Sequence, residues 1–433
     1  MPLKWTILNT LVAASLVSGA TVGAAAEGKS EAILVGNLVD FSGPTASVGT
    51  PYGRGKIDAV AWINRNGGIR GRQIDLDTFD AGYQVPPTIA EYQIWHDRGV
   101  TAIQGWGTAD TEALVRFVGE DHVPFFSGSY SAGLTDPTGK NAATRHSSPY
   151  NFIMGPSYSD GVRALLDWAK LDWRQRASDD RAPRYVHMGD NHPYPNSPRK
   201  AGESYAEELG FTVLPAVQYS MAPGDFRQQC LTLKESGADY AYLGNTAASN
   251  IDLIRTCRQM GVTAQFLSNI WGFDERAMQQ AGTAADGLVW VMASGTWSED
   301  TPGMARVRAI AKAAEPSVGY QPHHYVRGVC SVFFMKEAME WAADHGELTG
   351  PAIKEGMYQK ADWVPDGLEG ACARATWTAD DHRGFSRVSL YRAHVASTPD
   401  AKADLGTLIS DGTLRLENVY SVDVPRRPDW LGW

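Results

Sequence analysis

The side chains that could do chemistry in this sequence are scattered, so the first question is whether any set forms a catalytic centre. A serine nucleophile needs a sharp Gly-flanked turn and a base. The stretch Gly128-Ser129-Tyr130-Ser131-Ala132-Gly133 puts serine among glycines, but the residue two before Ser131 is Ser129, so the G-x-S-x-G spacing fails. It reads as a strand-to-helix loop of small residues. His187 with His192, and His323 with His324, lack the i, i+4 spacing that turns two imidazoles to one helix face, and no acidic ligand is apparent beside them. They read as exposed or capping histidines. Asp179-Asp180 and Asp380-Asp381 read as solvated turn residues and not as an acid–base dyad. The H-E-x-x-H and G-x-x-x-x-G-K-[ST] runs do not occur. The chain is therefore read as a non-enzyme, with no metal and no cofactor.

Binding chemistry is better represented. Six short runs carry hydroxyl or amide side chains, five of them with an aromatic: Phe41-Ser42-Gly43, Trp106 to Asp110, Ser127 to Tyr130, Asn191-His192-Pro193-Tyr194 and Asn269-Ile270-Trp271, beside Asn245-Thr246. Thr108 precedes a predicted helix, so its hydroxyl and the following N–H groups could cradle an anionic group. Thr108 and Asp110 taken singly are ordinary helix caps. Trp106, Tyr130, Tyr194 and Trp271 lie in these runs and not on apolar helix stripes, which suits aromatic walls around a planar, apolar or cationic ligand.

The elements around these runs explain why they recur. Ile33 to Val39 is an apolar strand, Asp40 to Pro44 a turn, Gly55 to Asn66 a helix and Gln73 to Phe79 a second strand. A second βα series starts near Arg184 and runs through strands at Tyr185–Met188, Thr212–Gln218, Tyr240–Leu243 and Gln265–Ser268, with glycines 210, 237 and 261 at helix ends. Each of the six runs closes a predicted strand, and ligands in open parallel sheets collect at such ends. The expected fold is α/β, with two doubly wound Rossmann-like lobes.

Bulk properties narrow the class. The 433 residues carry a net charge of -10, against the basic footprint nucleic acid requires. Lys4, the apolar Ile7 to Val17 stretch and the small-residue run Gly23 to Ala26 read as an export signal over residues 1–26. The apolar stretch falls short of the ~20 residues of a spanning helix. An even set of cysteines in an exported chain favours disulfides: Cys230 with Cys257 on successive predicted helices is the first choice, and Cys330 with Cys372 follows by elimination.

The opening strand, Ser42-Gly43-Pro44 loop, helix and Asn64-to-Arg72 "NxxGGIxGR" turn resemble the start of periplasmic solute-binding proteins of ABC importers, of the branched-chain amino acid and amide type. The likeness continues through Asp239 to Gly244 with Leu253-Ile254-Arg255, and Thr376 to Gly384. It implies a type I periplasmic binding fold with a multi-strand hinge. Residues 27–152 plus 292–380 would form lobe 1, residues 153–291 plus 381–394 lobe 2, and residues 395–433 a C-terminal extension. It also implies a monomer in the periplasm that passes a small-molecule solute to membrane permease subunits. The resemblance places ligand contacts at Thr108-Ala109, at Ser129 and Tyr130, near His192 to Tyr194, near Thr246 and near Tyr320; Ser42, Trp106 and Asn245 complete the expected set. Amino acid binders pair the ligand ammonium with a lobe-two acid where this chain has Ile270-Trp271, with Asp274 and Glu275 the nearest acids. Burying an ammonium without a partner costs several kcal/mol. The expected ligand is therefore an amino acid-like, amide or aromatic-acid solute. A ligand sensor for a membrane receptor, and a secreted α/β hydrolase, are the other classes weighed.

Overall fold

The computed structural model describes residues 1–2, 31–142, 144, 147–177 and 180–433. The expected signal over residues 1–26 lies outside the described residues except for Met1 and Pro2, and so does Asp179. The first sheet is built from β1 (Ile33–Val39), α1 (Ala46–Arg65), β2 (Ile74–Asp80), α2 (Val85–Asp97), β3 (Ala102–Gln104), α3 (Thr108–Glu120), β4 (Phe125–Ser127) and β5 (Asn151–Ile153). The chain then crosses into α4 (Tyr158–Arg176), β6 (Arg184–Gly189), α5 (Pro193–Asn196), α6 (Arg199–Glu208), β7 (Thr212–Val213), β8 (Val217–Gln218) and α7 (Arg227–Ser236). This second half continues with β9 (Tyr240–Leu243), α8 (Ala247–Gln259), β10 (Gln265–Ser268), α9 (Glu275–Ala281) and β11 (Val289–Met292). Helices α10 (Pro302–Ala314), α11 (His323–His345) and α12 (Gly350–Met357) follow, α10 and α11 packing on α1 and α12 on α11. A last crossing leads to β12 (Arg387–Val395), α13 (Leu405–Ser410) and β13 (Leu414–Asp423).

The first sheet has the order β2-β1-β3-β4-β5, all parallel, with Ile33 opposite Ile74 and Val35 opposite Ala102. The second runs β13-β12-β11-β10-β9-β6-β7, with β8 also on β6. Each sheet therefore has a point where succeeding strands go to opposite sides, at β1 and at β6. Loops leaving a sheet there diverge and open a crevice. Strands β1, β9, β10 and β11 are buried almost throughout and rich in branched or aromatic residues, as expected where helices cover both faces.

Helix α1 begins nine residues before the expected Gly55. The Asp40 carboxylate accepts the N–H groups of Gly43 (2.5 Å) and Thr45 (2.9 Å) and the Thr45 hydroxyl, which compacts the Ser-Gly-Pro turn and lets the helix start at Ala46. The glycines that suggested a loop are in the helix because α1 is closely approached, Gly49 and Gly53 by residues 39–41 and Gly55 by α11. A Cβ on Gly55 would lie 2.2 Å from the Tyr325 carbonyl oxygen, and one on Gly328 would lie 2.2 Å from that of Tyr52. The histidine reading also needs correction: His187, His323 and His324 are buried, and only His192 caps a helix, accepting the Tyr194 N–H. Helix α11 is apolar nearly all round, so its first turn sinks into the molecule.

Residues 395–433, expected as an extension, contain α13 and β13, and β13 pairs antiparallel with β12 as the outer strand of the second sheet. The end of the chain then folds back. Arg163 of α4 stacks on Trp430 (4.0 Å), Asn141 of the first lobe donates to the Pro428 carbonyl (2.8 Å), and Arg383 at the last crossing donates to that of Arg427 (3.2 Å). Disulfides join Cys230 of α7 to Cys257 of α8 and Cys330 of α11 to Cys372. No described helix is long and apolar enough to cross a membrane.

Candidate functional site

The carboxyl-end loops of the two sheets meet face to face. Between them lies a narrow cavity of about 20 Å³. Thr45, Tyr83, Trp106 and Thr108 line it from the first lobe, and Tyr158, Tyr194, Thr246 and Trp271 from the second. Each comes from a loop after a strand, apart from the helix-opening Thr108 and Tyr158 and Tyr194 in the short helix α5.

The start of α3 is the natural seat for an anion, but the chain fills part of it with its own hydroxyl. Tyr83 Oη accepts the Thr108 N–H at 3.2 Å. Tyr83 reaches this point from a backbone at φ +58°, directly after Gly82 at φ +56°, a left-handed pair unusual for a bulky residue. Its ring presses on Gly107, where a Cβ would lie 2.0 Å away, so only glycine fits. Thr108 Oγ1 is paired with Ser129 Oγ at 2.8 Å, and Trp106 Nε1 donates to Thr45 Oγ1 at 3.0 Å. One turn into α3, burial pushes the Asp110 carboxyl up to about 7, although the Gly107 N–H acts in the opposite direction.

Across the cleft, Asn269 fixes the second lobe's aromatics. Its Oδ1 accepts the Tyr194 hydroxyl and the Trp271 N–H, both at 2.8 Å, while its Nδ2 donates to the Gly244 carbonyl at 2.9 Å. Trp271 then projects into the first lobe. Its ring lies 4.9 Å from Trp106, 5.1 Å from Tyr52 and 5.6 Å from Tyr130, and the Arg327 guanidinium of α11 stacks on it at 3.8 Å.

Behind Trp271 sits a buried polar cluster that the sequence reading missed. Glu275 accepts the backbone N–H of His323 (3.1 Å) and the Tyr320 hydroxyl (3.3 Å), and pairs with His323 Nδ1 (3.1 Å). Burial alone would raise the Glu275 carboxyl, but His323 holds it below its ordinary value. Asp274 caps α9 through the Ala277 N–H (2.7 Å) and faces His324 Nε2 at 3.5 Å. Burial, with the adjacent Glu275 charge, pushes Asp274 up to about 6. Burial also pulls His324 well down, so it is neutral. The two histidines thus do have acidic neighbours, brought in from another element. Among the described residues no group of three or more His, Cys, Asp or Glu could hold a metal ion.

A sequence profile of the periplasmic binding protein family matches residues 32–399. The chain belongs to this family. Its members are non-enzymatic transport components. The Leu/Ile/Val-binding protein homolog 7 of Brucella suis is 25% identical over 237 residues, which are 54% of this chain and 55% of that one. The chain thus spans about half the length of this curated relative. An ABC transporter substrate-binding protein of Aeropyrum pernix superposes with a TM-score of 0.76 at 26% identity, covering 92% of this chain and 98% of that one. A branched-chain amino acid ABC transporter protein of Thermus thermophilus with bound valine gives 0.75 at 19% identity over 84% and 93%. The fold is the two-lobed type I arrangement.

Of the residues expected at the site, this binding protein lines the cavity with Trp106, Thr108, Tyr194, Thr246 and Trp271. Ser129 and Tyr130 stand directly behind, through Thr108 and Trp271. Ser42 is exposed, and its loop offers Thr45 instead. Ala109 is half-buried beside Tyr83. His192 meets Tyr83 at 5.2 Å at the edge of the cleft. Asn245 is spent on loop geometry, donating to Tyr219 and Ser220 carbonyls and accepting the Asp190 N–H. Tyr320 bonds Glu275 away from the cavity. Tyr83 was missed although it too follows a strand, and Tyr158 because it opens a helix. The signal for Arg327 was a lone charge in the apolar run Tyr325 to Met335.

Proposed function

We propose that the chain is the solute-binding component of an ABC importer of the branched-chain amino acid and amide type, working in the periplasm as a monomer. Residues 1–26 would be its export signal, and the two disulfides suit an oxidising compartment. The observation that carries the reading is the cavity at the switch points of both sheets, walled by side chains from both lobes. A solute that touches both lobes binds the closed form better than the open one, and that difference drives hinge closure. The closed form is then what permease subunits would recognise. The lobes would comprise residues 27–152 with 292–380, and 153–291 with 381–394, the second extended by β13.

The ligand is a small, partly apolar or aromatic organic solute. Trp271 stands where amino acid binders carry their ammonium partner, and Asp274 and Glu275 are committed to α9 and α11. A thermal-shift screen across solute classes tests the proposal, because a ligand that binds only the folded state raises the melting temperature. Stabilisation by aromatic acids, short-chain acids or amides is expected. Tight leucine binding with no response to these would overturn the ligand class, and no response to any class would overturn the function.

A further inference from the structure

Among the described residues, Arg327 is a buried cation against the site whose charge no acidic group balances. It is 2% exposed, and none of the ion pairs among the described residues includes it. Its Nη1 donates to the Ile270 carbonyl (3.2 Å) and meets His324 Nδ1 (3.0 Å). Its Nε and Nη2 have no hydrogen-bond partner. Those two nitrogens form the side-on edge of the guanidinium, the geometry that grips a carboxylate with two parallel bonds. The same neighbourhood holds two more buried hydroxyls that make no well-formed hydrogen bond, Tyr52 Oη and Tyr130 Oη, although each lies close to the other, Tyr130 to Arg327 and Tyr52 to Ser331. Tyr130 packs under the guanidinium at 5.0 Å, and Arg327 is an electrostatic neighbour of Tyr52 as well. A buried cation without a counter-charge is costly, and it persists where something else repays it.

We infer that Arg327 is the anion-recognition residue of this cleft, its Nε/Nη2 edge and the Tyr52 and Tyr130 hydroxyls taking the carboxylate of an organic acid that carries no ammonium. This rests on the solute-binding reading above and names the substrate class within it. The expected anion seat at the start of α3 is occupied by Tyr83 Oη, whereas the Arg327 edge has only the Tyr130 hydroxyl near it and makes no well-formed hydrogen bond. Trp271 lines the cavity and stacks on the guanidinium, which does not itself line it, so the acid would reach Arg327 only by displacing the indole as it enters. The uncharged His324 on the inner side adds no competing charge.

The test is calorimetric titration with matched pairs, benzoate against benzamide and isovalerate against isovaleramide, with leucine as a third probe. The acid of at least one pair is expected to bind tighter than its amide. Arg327→Gln should weaken that acid by on the order of thirtyfold or more while sparing the amide. Tyr52→Phe and Tyr130→Phe keep the rings and should each weaken the acid by about fivefold, which guards against a misfolded Arg327 variant. Equal binding of acid and amide, tight binding of leucine alone, or an acid preference that survives Arg327→Gln would overturn the assignment to Arg327 and leave the solute-binding reading standing. Binding of none of these compounds by the wild type would overturn both.

Discussion

Replacing Trp271 by alanine tests the architecture of the cleft most directly. Every ring partner of Trp271 among the described residues, Tyr52, Trp106, Tyr130 and His324, belongs to the first lobe or to α11 packed on it. The side chain is 3% exposed, yet it contributes to contact between the lobes and not to the core of its own. Aromatic pairs contribute about 1 kcal/mol each beyond area, and a desolvated guanidinium stack about 2. The partners touch one another, so the terms are sub-additive, and about 3 kcal/mol is a reasonable sum. That corresponds to roughly a 150-fold shift of the open–closed equilibrium toward open. Small-angle scattering of the unliganded variant should give a larger radius of gyration than wild type, with a melting temperature nearly unchanged. A tryptophan lost from the core of a single lobe would instead cost ~3–5 kcal/mol of folding stability. Unchanged scattering together with a large drop in melting temperature would refute the reasoning.

Three further outcomes follow from other parts of the fold. Asp110, pushed up to about 7 by burial, keeps in the native state a proton that the unfolded chain releases near pH 4. The native state then binds more protons than the unfolded one, so stability falls as pH rises from about 4 to about 7 and levels off above that. Asp110→Asn should flatten this decline by at most about 3 kcal/mol between denaturant titrations at pH 5 and pH 8, and parallel profiles would contradict it. Gly328→Ala would drive a methyl group to 2.2 Å from the Tyr52 carbonyl oxygen, so α1 and α11 must separate; a loss of about 2–3 kcal/mol is expected by chemical denaturation, and neutral behaviour would show that the helices can slide. The disulfides close loops of 27 and 42 residues, for which chain entropy predicts about 3.5 and about 4 kcal/mol, so the Cys230→Ser/Cys257→Ser and Cys330→Ser/Cys372→Ser pairs should each melt markedly lower, with no change from either pair counting against the estimate.

The alternation of strands and helices was legible because period-2 and period-3.6 patterns depend on local sequence, and β10 occupies Gln265–Ser268 as read. The start of α1 was not, since the glycines at 49, 53 and 55 signal loop locally and close packing only once Asp40 and Trp106, Phe41 and Val39, and α11 respectively are in place. Strand-end logic brought Trp106, Thr108, Tyr194, Thr246 and Trp271 to one cavity. It could not show that Asn245 would be consumed by backbone carbonyls, or that Tyr320 would turn to Glu275. The Glu275–His323 and Asp274–His324 pairs are 48 and 50 residues apart, and nothing in either segment alone announces the other.

The returning C-terminus changes what kind of joint the two lobes share. Its last residues are fastened at once to Asn141 on one lobe, Arg163 on the other and Arg383 on the segment that makes the last crossing. If the lobes close as proposed, a joint tied at these three points would act like a door with a stay, swinging about one axis and resisting twist about the others. The mouth can gape while Trp271 keeps its line of approach to Arg327, so each closure would bring the same faces back into register.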